Sequence, residues 1–466
     1  MLFVQAFSSF LAKSKFAHLS GSDVTVARRA FLDGTGTSLA GATTEAGTKI
    51  LAHTREHGGS GPARVIGSGL RTSPLHAALA NGVLAHSVDY DDVNHPMMGH
   101  PTAVLLPVIY ALADLEGLSG REAIVSYAVG LELAAKLGRI VNPWHYEQGW
   151  HATSTLGTLA AAAAAAKVLD LDPERIETAL ALAASLASGL RRNFGSMAKP
   201  FHAGHAARCG LESALLASRG FTASREVLEG EMGLFALFGK RPSRAMIKKM
   251  ADELGRPYEL TASGLAVKQY PCCAGAHPAV DAALSLRREL QWKADAPDRV
   301  LVRVHPLLPR MMIYDRPRTS LQAKFSLRYC VAAALEDGRL NRASFTGAAL
   351  ARSSVRSWMM KTDIRPDLGR EGVKGEIPTR AEVVFCWQGG RRLKKVVAKP
   401  VGSPDKPLPD EIMADKFEDC ARGLLGRERV RRLLSLFSDL ENVADLRQIT
   451  RRLVSARKPC RIAAAG

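Results

Sequence analysis

Residues 155–190 read TLGTLAAAAAAAKVLDLDPERIETALALAASLASGL, and this stretch decides the fold. Alanine has the highest helix propensity, and its small side chain lets neighbouring helices approach closely. A helix that is apolar on every side is expected to be buried. The pair Asp172-Pro173 marks a new start, because aspartate caps a helix and proline fits the first helical position. We therefore predict an antiparallel helix pair, Thr155–Val168 and Glu174–Leu190, at the centre of a large bundle.

Helical patterns continue on both sides of this pair. Ser119 and Glu122 form a capping box, in which each side chain satisfies a free backbone amide of the other residue. The apolar periodicity of Ala123–Leu137 follows this box. Near the end of the chain, Asp410–Leu425 and Arg429–Leu440 are again typical of helices and are expected to rejoin the bundle.

The pattern changes near residue 260. Alternation of apolar and polar residues over Arg299–His305 predicts a strand. Ala381–Trp387 and Leu393–Ala398 flank a glycine turn and predict a hairpin, and Lys324–Leu335 is expected to be helical. The predicted fold is mainly α, with a large helical bundle domain and an inserted smaller α+β lid domain. The predicted boundaries are 1–264 for the first part of the helical domain, 265–399 for the lid and 400–466 for the C-terminal completion.

Composition excludes several classes of protein. The longest apolar runs, Thr158–Ala166 and Ala179–Leu190, fall short of the ~20 residues of a spanning helix, which predicts no membrane association. We interpret Met1–Phe16 as an amphipathic helix rather than a signal peptide, a transit peptide being the alternative. Seven cysteines without a C-x-x-C pair argue against a disulfide framework and a structural zinc site. A reducing, cytoplasmic location is therefore expected.

The net charge of +18 has three interpretations. Part of it lies in a C-terminal basic stretch: Arg422, Arg427, Arg429, Arg431, Arg432, Arg447, Arg451, Arg452, Arg457, Lys458 and Arg461. We favour a solvated helix face. Nucleic-acid binding is disfavoured, because the stretch has no interleaved aromatic residues. Steering of an anionic substrate is compatible with the first interpretation.

Ionisable residues concentrate in four short segments with apolar surroundings. These are His86–Asp92 (HSVDYDD) with its continuation to Thr102, Gly149–Thr155 (GWHATST), Ser196–His205 (SMAKPFHAGH) and Lys268–Pro278 (KQYPCCAGAHP). Histidine has a pKa near neutrality and serves as an acid or a base without extreme tuning. The segments therefore predict an acid–base site.

Structural interpretations of the same residues remain open. Asp91 and Asp92 could cap a helix or bind loop amides, His151 could close a turn, and Lys199 and Lys268 could be surface lysines with buried stems. Asp89, Asp91, Asp92, His95 and His100 are also metal-ligand types, which leaves a metal-dependent hydrolase as an alternative. No helical zinc motif accompanies them, so we predict no metal.

The four segments resemble the signature segments of the MmgE/PrpD family, which includes 2-methylcitrate dehydratase, cis-aconitate decarboxylase and iminodisuccinate epimerase. Further segments extend the resemblance: Ala30–Asp33 (AFLD), Leu39–Gly41 (LAG), Ala80–Gly82 (ANG) and Lys324–Tyr329 (KFSLRY). The resemblance implies a helical domain with an α+β lid, a site between them, a homodimer, and no metal or organic cofactor. It also implies a small anionic polycarboxylate as substrate.

Residues that match functional positions of the family are Asp89, His100, His151, Lys199, Lys268 and Tyr329 for catalysis, and Lys199, His202, Lys268 and Cys273 for substrate binding. Two positions depart from the decarboxylase branch, where a threonine stands at Val93 and a histidine at Cys273. The loop from Asp92 to His100 also differs from that branch in length and is shorter than in the methylcitrate dehydratases.

These residues suggest one mechanism. His100 or His151 abstracts a proton next to a carboxylate, and the other protonates the leaving hydroxyl or returns the proton. Lys199 and Lys268 stabilise the developing charge, Asp89 orients a histidine, and Tyr329 completes the site when the lid closes. We expect a dehydratase acting on a 2-methylcitrate-like acid, with a decarboxylase or an epimerase of a related polycarboxylate as the alternatives.

Overall fold

The computed structural model describes residues 2–239, 241–292, 294–369 and 380–455. Its first part consists of helices: α1 (Phe3–Lys13), α2 (Gly21–Gly41), α3 (Glu45–His57), α4 (Pro74–His86), α5 (Thr102–Glu116), α6 (Gly120–Val141), α7 (Trp144–Glu147), α8 (Ala152–Val168), α9 (Pro173–Leu186), α10 (Ala198–Ser218), α11 (Leu234–Phe238), α12 (Arg244–Asp252) and α13 (Glu259–Ala262). Between α3 and α4, the short strands β1 (Ala63–Arg64) and β2 (Arg71–Thr72) pair antiparallel.

The alanine-rich helix α8 is the centre of this part. Every residue from Ala152 to Ala166 is buried, and α8 contacts α5, α6, α9 and α10. The predicted partner helix α9 follows, with Asp172 capping the amide of Arg175. It ends at Leu186 instead of Leu190. The chain turns there because Gly189 accepts a hydrogen bond from the His151 amide and Leu190 pairs with Trp150.

Helices α4 and α10 cross in close contact. At the crossing, a Cβ on Gly82 would lie 2.6 Å from the Cα of Gly204. A Cβ on Gly204 would overlap the carbonyl oxygen of Leu79. Only glycine permits this separation of the two backbones. The crossing matters for function because α4 ends at His86 and α10 carries Lys199.

Replacement of Gly204 by alanine is expected to lower the free energy of unfolding by about 1–3 kcal/mol, because overpacking forces the helices apart. It should also weaken the contact of Lys199 with His86. Chemical denaturation monitored by circular dichroism measures the change. Gly347→Ala is the control, since a Cβ at that helical glycine meets no atom within 4 Å. Equal stability of the two variants would contradict the interpretation.

A second unit follows with its own apolar core. It contains α14 (His277–Arg288), β3 (Arg299–Val304), α15 (Ser320–Ala323), α16 (Leu327–Asp337), α17 (Gly347–Ala351), α18 (Ser353–Lys361), β4 (Thr362–Arg365), β5 (Ala381–Cys386) and β6 (Arg392–Val397). The sheet has the order β4-β3-β5-β6, with β3 parallel to β4 and antiparallel to β5. The predicted hairpin is confirmed as β5 and β6. Strand β4 was not predicted.

The last described helices pack on the first unit. They are α19 (Asp410–Ala421), α20 (Arg427–Ser438) and α21 (Arg447–Thr450). Helices α19 and α20 contact α2, and α21 contacts α5. On α20 the side chains of Arg431 and Arg432 are exposed, whereas Val430 and Leu433 are buried. This part of the basic stretch is therefore a solvated face, as we favoured.

The mainly helical fold class is confirmed, whereas the domain boundaries and the movement of a lid remain predictions. Arg457, Lys458 and Arg461 of the basic stretch lie outside the described part of the chain. Within that part, no helix combines the length and the apolar character required to cross a bilayer.

Candidate active site

A small pocket lies between the helical unit and the α+β unit. The helical side contributes Asp89, Val93, Met98, Gly99, His100, Tyr146, His151, Phe194 and Lys199, and the other side contributes Cys273, Ala274, Met311 and Phe325. The polar side chains thus come mostly from one wall, and the opposite wall is mainly apolar. All four sequence segments reach this region.

Helix ends place the polar residues. His86 is the last residue of α4, His151 immediately precedes α8, and Lys199 lies in the first turn of α10. His100 lies just before α5, where its backbone amide donates to Thr153 Oγ1 at 3.1 Å. Lys268 reaches the site because Val93 and Ala266 form an isolated β-bridge. The pocket is therefore assembled from helix termini held together by the bundle.

Asp89 is a buried carboxylate shared by two lysines. Its Oδ1 accepts from Lys199 Nζ at 3.0 Å and from Lys268 Nζ at 2.8 Å. Burial alone would raise the pKa of Asp89, but the two ammonium groups outweigh it and hold the pKa well below its usual range. Asp89 also adopts φ +51°, a left-handed conformation that aspartate tolerates better than most residues. The side chain of Asp89 thus forms its hydrogen bonds with two lysines, and its orientation of a histidine stays a prediction.

Asp91 is the carboxylate that contacts histidines. Its Oδ2 lies 2.7 Å from His86 Nδ1 and 3.3 Å from His100 Nδ1. Asp91 is fully buried, which would raise its pKa, but the two histidines hold the pKa below its ordinary value. Asp91 therefore contacts two histidines, and a functional role for it stays a prediction.

His100 presents one defined tautomer in its neutral form. Its Nδ1 lies 2.7 Å from the carbonyl oxygen of Asp92, which can only accept a hydrogen bond. The proton is therefore on Nδ1, and Nε2 carries the lone pair. Burial lowers the pKa of His100 well below its usual range, while Asp91 acts in the opposite direction.

His151 has different neighbours. Its Nδ1 lies 3.1 Å from Nδ1 of His202, and its buried Nε2 has no hydrogen-bond partner among the described residues. Burial lowers the pKa of His151 well below its usual range, and Lys199, His86, His202 and His100 lower it further. A carboxylate beside the ring is not among these influences. His151 is therefore held neutral, with Nε2 available to a ligand.

Of the three further residues predicted to bind substrate, two lie outside the pocket lining and one lies in it. Lys268 does not line the pocket, because its Nζ is bound to the side chain and the backbone carbonyl of Asp89. His202 lies behind His151, and burial lowers its pKa to about 4. Cys273 does line the pocket, where burial raises the pKa of its thiol to about 11. Direct substrate contact by Lys268 and His202 thus disagrees with their placement.

The prediction for Tyr329 is corrected. Its ring is fully buried in the core of the α+β unit, and its hydroxyl donates to the carbonyl of Ser344 at 2.5 Å. Helix α16 begins at Leu327 instead of Lys324, with Ser326 as its cap. From the same unit, Phe325 lines the pocket and the Tyr314 hydroxyl donates to the Phe194 carbonyl at 2.9 Å.

Asp92 contacts the start of a helix, which agrees with the structural interpretation of this residue. Its carboxyl group accepts from the hydroxyl and the backbone amide of Thr102 at the start of α5. Burial raises the pKa of Asp92 to about 8. Lys324 is likewise structural, since its Nζ donates to the carbonyls of Val88 and Pro271, both at 2.7 Å.

A metal site fits the donor types but not the local charge. Ligand atoms of His86, Asp89, Asp91 and His100 lie within 4.8 Å of one another. However, two ammonium groups already contact Asp89, and Lys199 Nζ lies 2.7 Å from His86 Nε2. A divalent cation at this position would be repelled by both lysines at short range. The residues suit an anionic ligand better than a cation.

Sequence reasoning missed the parts played by His86 and Asp91. His86 links Asp91 to Lys199 through its two ring nitrogens. Both residues lie in the first segment, but histidine and aspartate in a loop have many satisfied structural roles. His86 ends a helix and Asp91 lies five residues later in a loop, so the two residues do not share a helical face. No local pattern therefore indicated that they contact each other.

The buried histidines predict a loss of stability in mild acid. Burial lowers the pKa of His86, His100 and His151, whereas an unfolded histidine titrates near about 6.5. Below that pH the unfolded chain binds more protons than the folded chain. The stabilising contribution is thus complete above about pH 6.5 and declines as the pH falls, by up to about 1.4 kcal/mol per pH unit and histidine.

Urea unfolding at pH 7.5, 6.5 and 5.5 measures this slope. The His151→Gln variant is expected to show a shallower slope than the unmodified protein. A flat profile between pH 7.5 and 5.5 would mean that these histidines bind protons as readily in the folded protein as in the unfolded chain.

Comparison with known proteins adds an independent observation. Residues 5–245 match the family model of the MmgE/PrpD N-terminal domain, and residues 270–442 match that of the MmgE/PrpD C-terminal domain. A cis-aconitate decarboxylase from Homo sapiens is 28% identical, over 98% of this chain and 95% of the relative. The cis-aconitate decarboxylase of Aspergillus terreus (strain NIH 2624 / FGSC A1156) is 28% identical, over 90% of this chain and 89% of the relative. The similarity thus extends over nearly the whole length of each chain.

Proposed function

Because this chain belongs to the MmgE/PrpD family, we propose that it is a lyase that removes CO₂ from cis-aconitate or a closely similar unsaturated polycarboxylate. The similar relatives from Homo sapiens and Aspergillus terreus are cis-aconitate decarboxylases. They favour the decarboxylase alternative over the dehydratase that we first expected. Their modest identity leaves the exact substrate to experiment.

One observation carries the proposal: of the two pocket histidines, His100 has a carboxylate among the groups that influence its ring most, and His151 does not. His100 Nδ1 lies 3.3 Å from Asp91 Oδ2 and 2.7 Å from a backbone carbonyl. His151 lies against His202, and its largest electrostatic influences are a lysine and three histidines. A neighbouring carboxylate favours the charged form of a ring, whereas neighbouring cations disfavour it. The pocket therefore contains one proton donor and one neutral hydrogen-bonding ring.

Decarboxylation of such a substrate requires one proton donor and no base. When the bond to the departing carboxylate breaks, its electron pair forms a new C=C bond with the adjacent carbon. The pair of the original C=C bond moves to the far carbon, which lies next to another carboxylate and accepts a proton. One proton enters and one CO₂ leaves, so the reaction balances without a further reactant.

The pocket residues fit these steps. Lys199, which lines the pocket, binds a carboxylate that remains on the product, with Lys268 adding positive potential from behind Asp89. Such fixed cations stabilise the developing negative charge where water is excluded. His151 Nε2 donates to a second carboxylate. His100 delivers the proton to carbon from Nε2.

Substrate binding raises the pKa of His100, and the ring then takes up a proton from solvent. In the free protein, burial and then the two lysines lower the pKa of His100. An anionic substrate offsets the lysine charges and raises that pKa again. Asp91 then stabilises the imidazolium. Proton uptake is thus linked to the arrival of the correct anion.

Dehydration would need a different arrangement. It requires a base for one proton and an acid for the leaving hydroxyl, and His151 lacks a partner that would stabilise a positive charge.

Val93 and Cys273, the two positions that depart from the decarboxylase branch, both line the pocket. Neither side chain replaces the polar groups found there in that branch. We therefore expect tolerance for a less polar substituent at this wall.

Turnover of candidate acids tests the proposal. The purified protein is incubated with cis-aconitate, citrate, 2-methylcitrate and iminodisuccinate, while CO₂ release and the product spectra are recorded. We expect CO₂ release from cis-aconitate or an alkyl-substituted analogue of it. A true ligand also raises the melting temperature by mass action. Loss of water from 2-methylcitrate without CO₂ release from any unsaturated acid would overturn the proposal in favour of dehydration.

A further inference from the structure

We propose that Asp91 is the positioning residue of this pocket, which fixes the ring of His100 directly and the amine of Lys199 through His86. The kinetic part of this inference rests on the proposed decarboxylase function. The structural part does not, because it concerns hydrogen positions in the protein without substrate.

The geometry places one carboxylate oxygen against two rings. Asp91 Oδ2 lies 2.7 Å from His86 Nδ1 and 3.3 Å from His100 Nδ1. The ring centroids of the two histidines are 4.5 Å apart. Asp91 is completely buried, and its Oδ1 has no hydrogen-bond partner among the described residues. The carboxylate is therefore committed to the two histidines and to no helix cap.

A carboxylate can only accept hydrogen bonds, so it fixes the tautomer of each ring that it contacts. His86 carries its proton on Nδ1 and keeps a lone pair on Nε2. His100 carries its proton on Nδ1 as well and donates it to the Asp92 carbonyl at 2.7 Å, with Asp91 Oδ2 at 3.3 Å from the same nitrogen. In both rings Nε2 is left for the next partner. For His100 that partner is the substrate.

His86 transmits the constraint to Lys199. Its Nε2 lies 2.7 Å from Lys199 Nζ, which also donates to Asp89 Oδ1 at 3.0 Å. Two of the three ammonium hydrogens are thus directed at fixed acceptors, and the third is oriented by them. Lys199 lines the pocket, whereas His86 and Asp91 do not. His86 and Asp91 therefore act through other residues and are not catalytic themselves.

The charge of Asp91 also supports the imidazolium form of His100. The ionisable groups that influence His100 are Asp91, Lys268, Lys199, His86, Asp89 and His151. Those that influence Asp91 are His86, His100, Lys268, Lys199, Asp33 and Asp92. Among the groups that act on His100, Asp91 favours the protonated ring and the two lysines oppose it. Its removal should therefore make His100 harder to protonate in the complex with substrate.

The first test needs no substrate. The unmodified protein is labelled with ¹⁵N-histidine, and its ring nitrogens are assigned with His86→Gln and His100→Gln variants. We expect protonated Nδ1 and unprotonated Nε2 for both His86 and His100 at pH 7.5. A proton on Nε2 of either ring would overturn the inference, whatever reaction the enzyme catalyses.

The second test uses Asp91→Asn with a decarboxylation assay. An orienting carboxylate behind a catalytic histidine contributes up to about 10⁴-fold to turnover. We expect kcat to fall by about 10²-fold or more, and the alkaline limb of the kcat–pH profile to move to lower pH. Asp114→Asn is the control, because it removes a buried carboxylate that pairs with Arg64 and Thr450 away from the pocket. An unshifted limb in Asp91→Asn would overturn the electrostatic part.

Two variants of His86 test the link between Asp91 and Lys199. They also provide a test if the Asp91→Asn variant does not fold. Glutamine at position 86 retains a donor for Asp91 and an acceptor for Lys199, whereas leucine retains neither. His86→Gln is expected to keep at least about tenfold more kcat than His86→Leu. Equal kcat values would show that the bridge to Lys199 has no kinetic role. Absence of turnover in the unmodified protein would instead refute the proposed function and leave the labelling result valid.

Discussion

The His100→Gln variant is expected to lose about 10²–10⁴-fold in kcat on the acid that the unmodified protein decarboxylates, because a positioned proton donor contributes an effect of this size. Glutamine fills similar space, but its amide cannot deliver a proton to carbon. The KM should change little, since Lys199 and His151 remain to bind the substrate. Steady-state kinetics with cis-aconitate measures both constants.

Two further variants serve as comparisons for His100→Gln. His57→Gln alters an exposed histidine outside the pocket and should leave kcat unchanged. His151→Gln should raise KM more than it lowers kcat, because we assign this ring to substrate binding. If His151→Gln abolished kcat and His100→Gln retained it, the roles of the two histidines would be reversed.

The Asp89→Asn variant is expected to lose about 3–5 kcal/mol of unfolding free energy, because it leaves two buried ammonium groups without their shared carboxylate. Asparagine tolerates the φ of +51° at this position, so the loss is expected to come from charge and not from the backbone. Chemical denaturation at pH 7 gives the difference. Turnover should also fall, because Lys199 and Lys268 lose the acceptor that orients them.

The pH dependence of this loss is fixed by the pKa of Asp89. The folded pKa lies well below its usual range, so the stabilising contribution is present above the unfolded value of about 3.9. It is lost as the pH falls through the folded value. The stability difference between the two proteins should therefore be constant from pH 6 to 8 and shrink only below about pH 4.

Asp405→Asn provides the contrast. Asp405 forms an ion pair with Lys399, and both side chains are exposed. Its loss should change stability by less than about 1 kcal/mol, as is usual for surface pairs. Similar losses in Asp89→Asn and Asp405→Asn would mean that the lysines around Asp89 release their protons or reach solvent.

Local sequence was enough for the helical framework. The alanine run of α8 has high propensity and no polar face, so burial at the centre of a bundle was its only stable outcome. The capping box at Ser119 fixed the start of α6, where both predicted hydrogen bonds occur. The family resemblance also followed from short segments and their order, and the matches over residues 5–245 and 270–442 confirm it.

Local sequence was not enough to predict the end of α9 or the position of the Tyr329 side chain. Helix propensity continues past Leu186, but the His151 amide and Trp150 draw the chain into a turn. Tyr329 was placed in the site from its motif alone. In the structure its ring lies in the core of the α+β unit, and its hydroxyl donates to the carbonyl of Ser344, a contact that the motif does not reveal.

The sequence by itself determined the helical class of this protein, the family to which it belongs and the residue types that its pocket contains. Only the tertiary structure decided which of those residues act on one another. Lys268 and Asp89 are 179 positions apart, and their contact depends on the pairing of Val93 with Ala266. Propensity and periodicity act over a few residues, whereas the partner of a buried charge is set by the packing of distant segments.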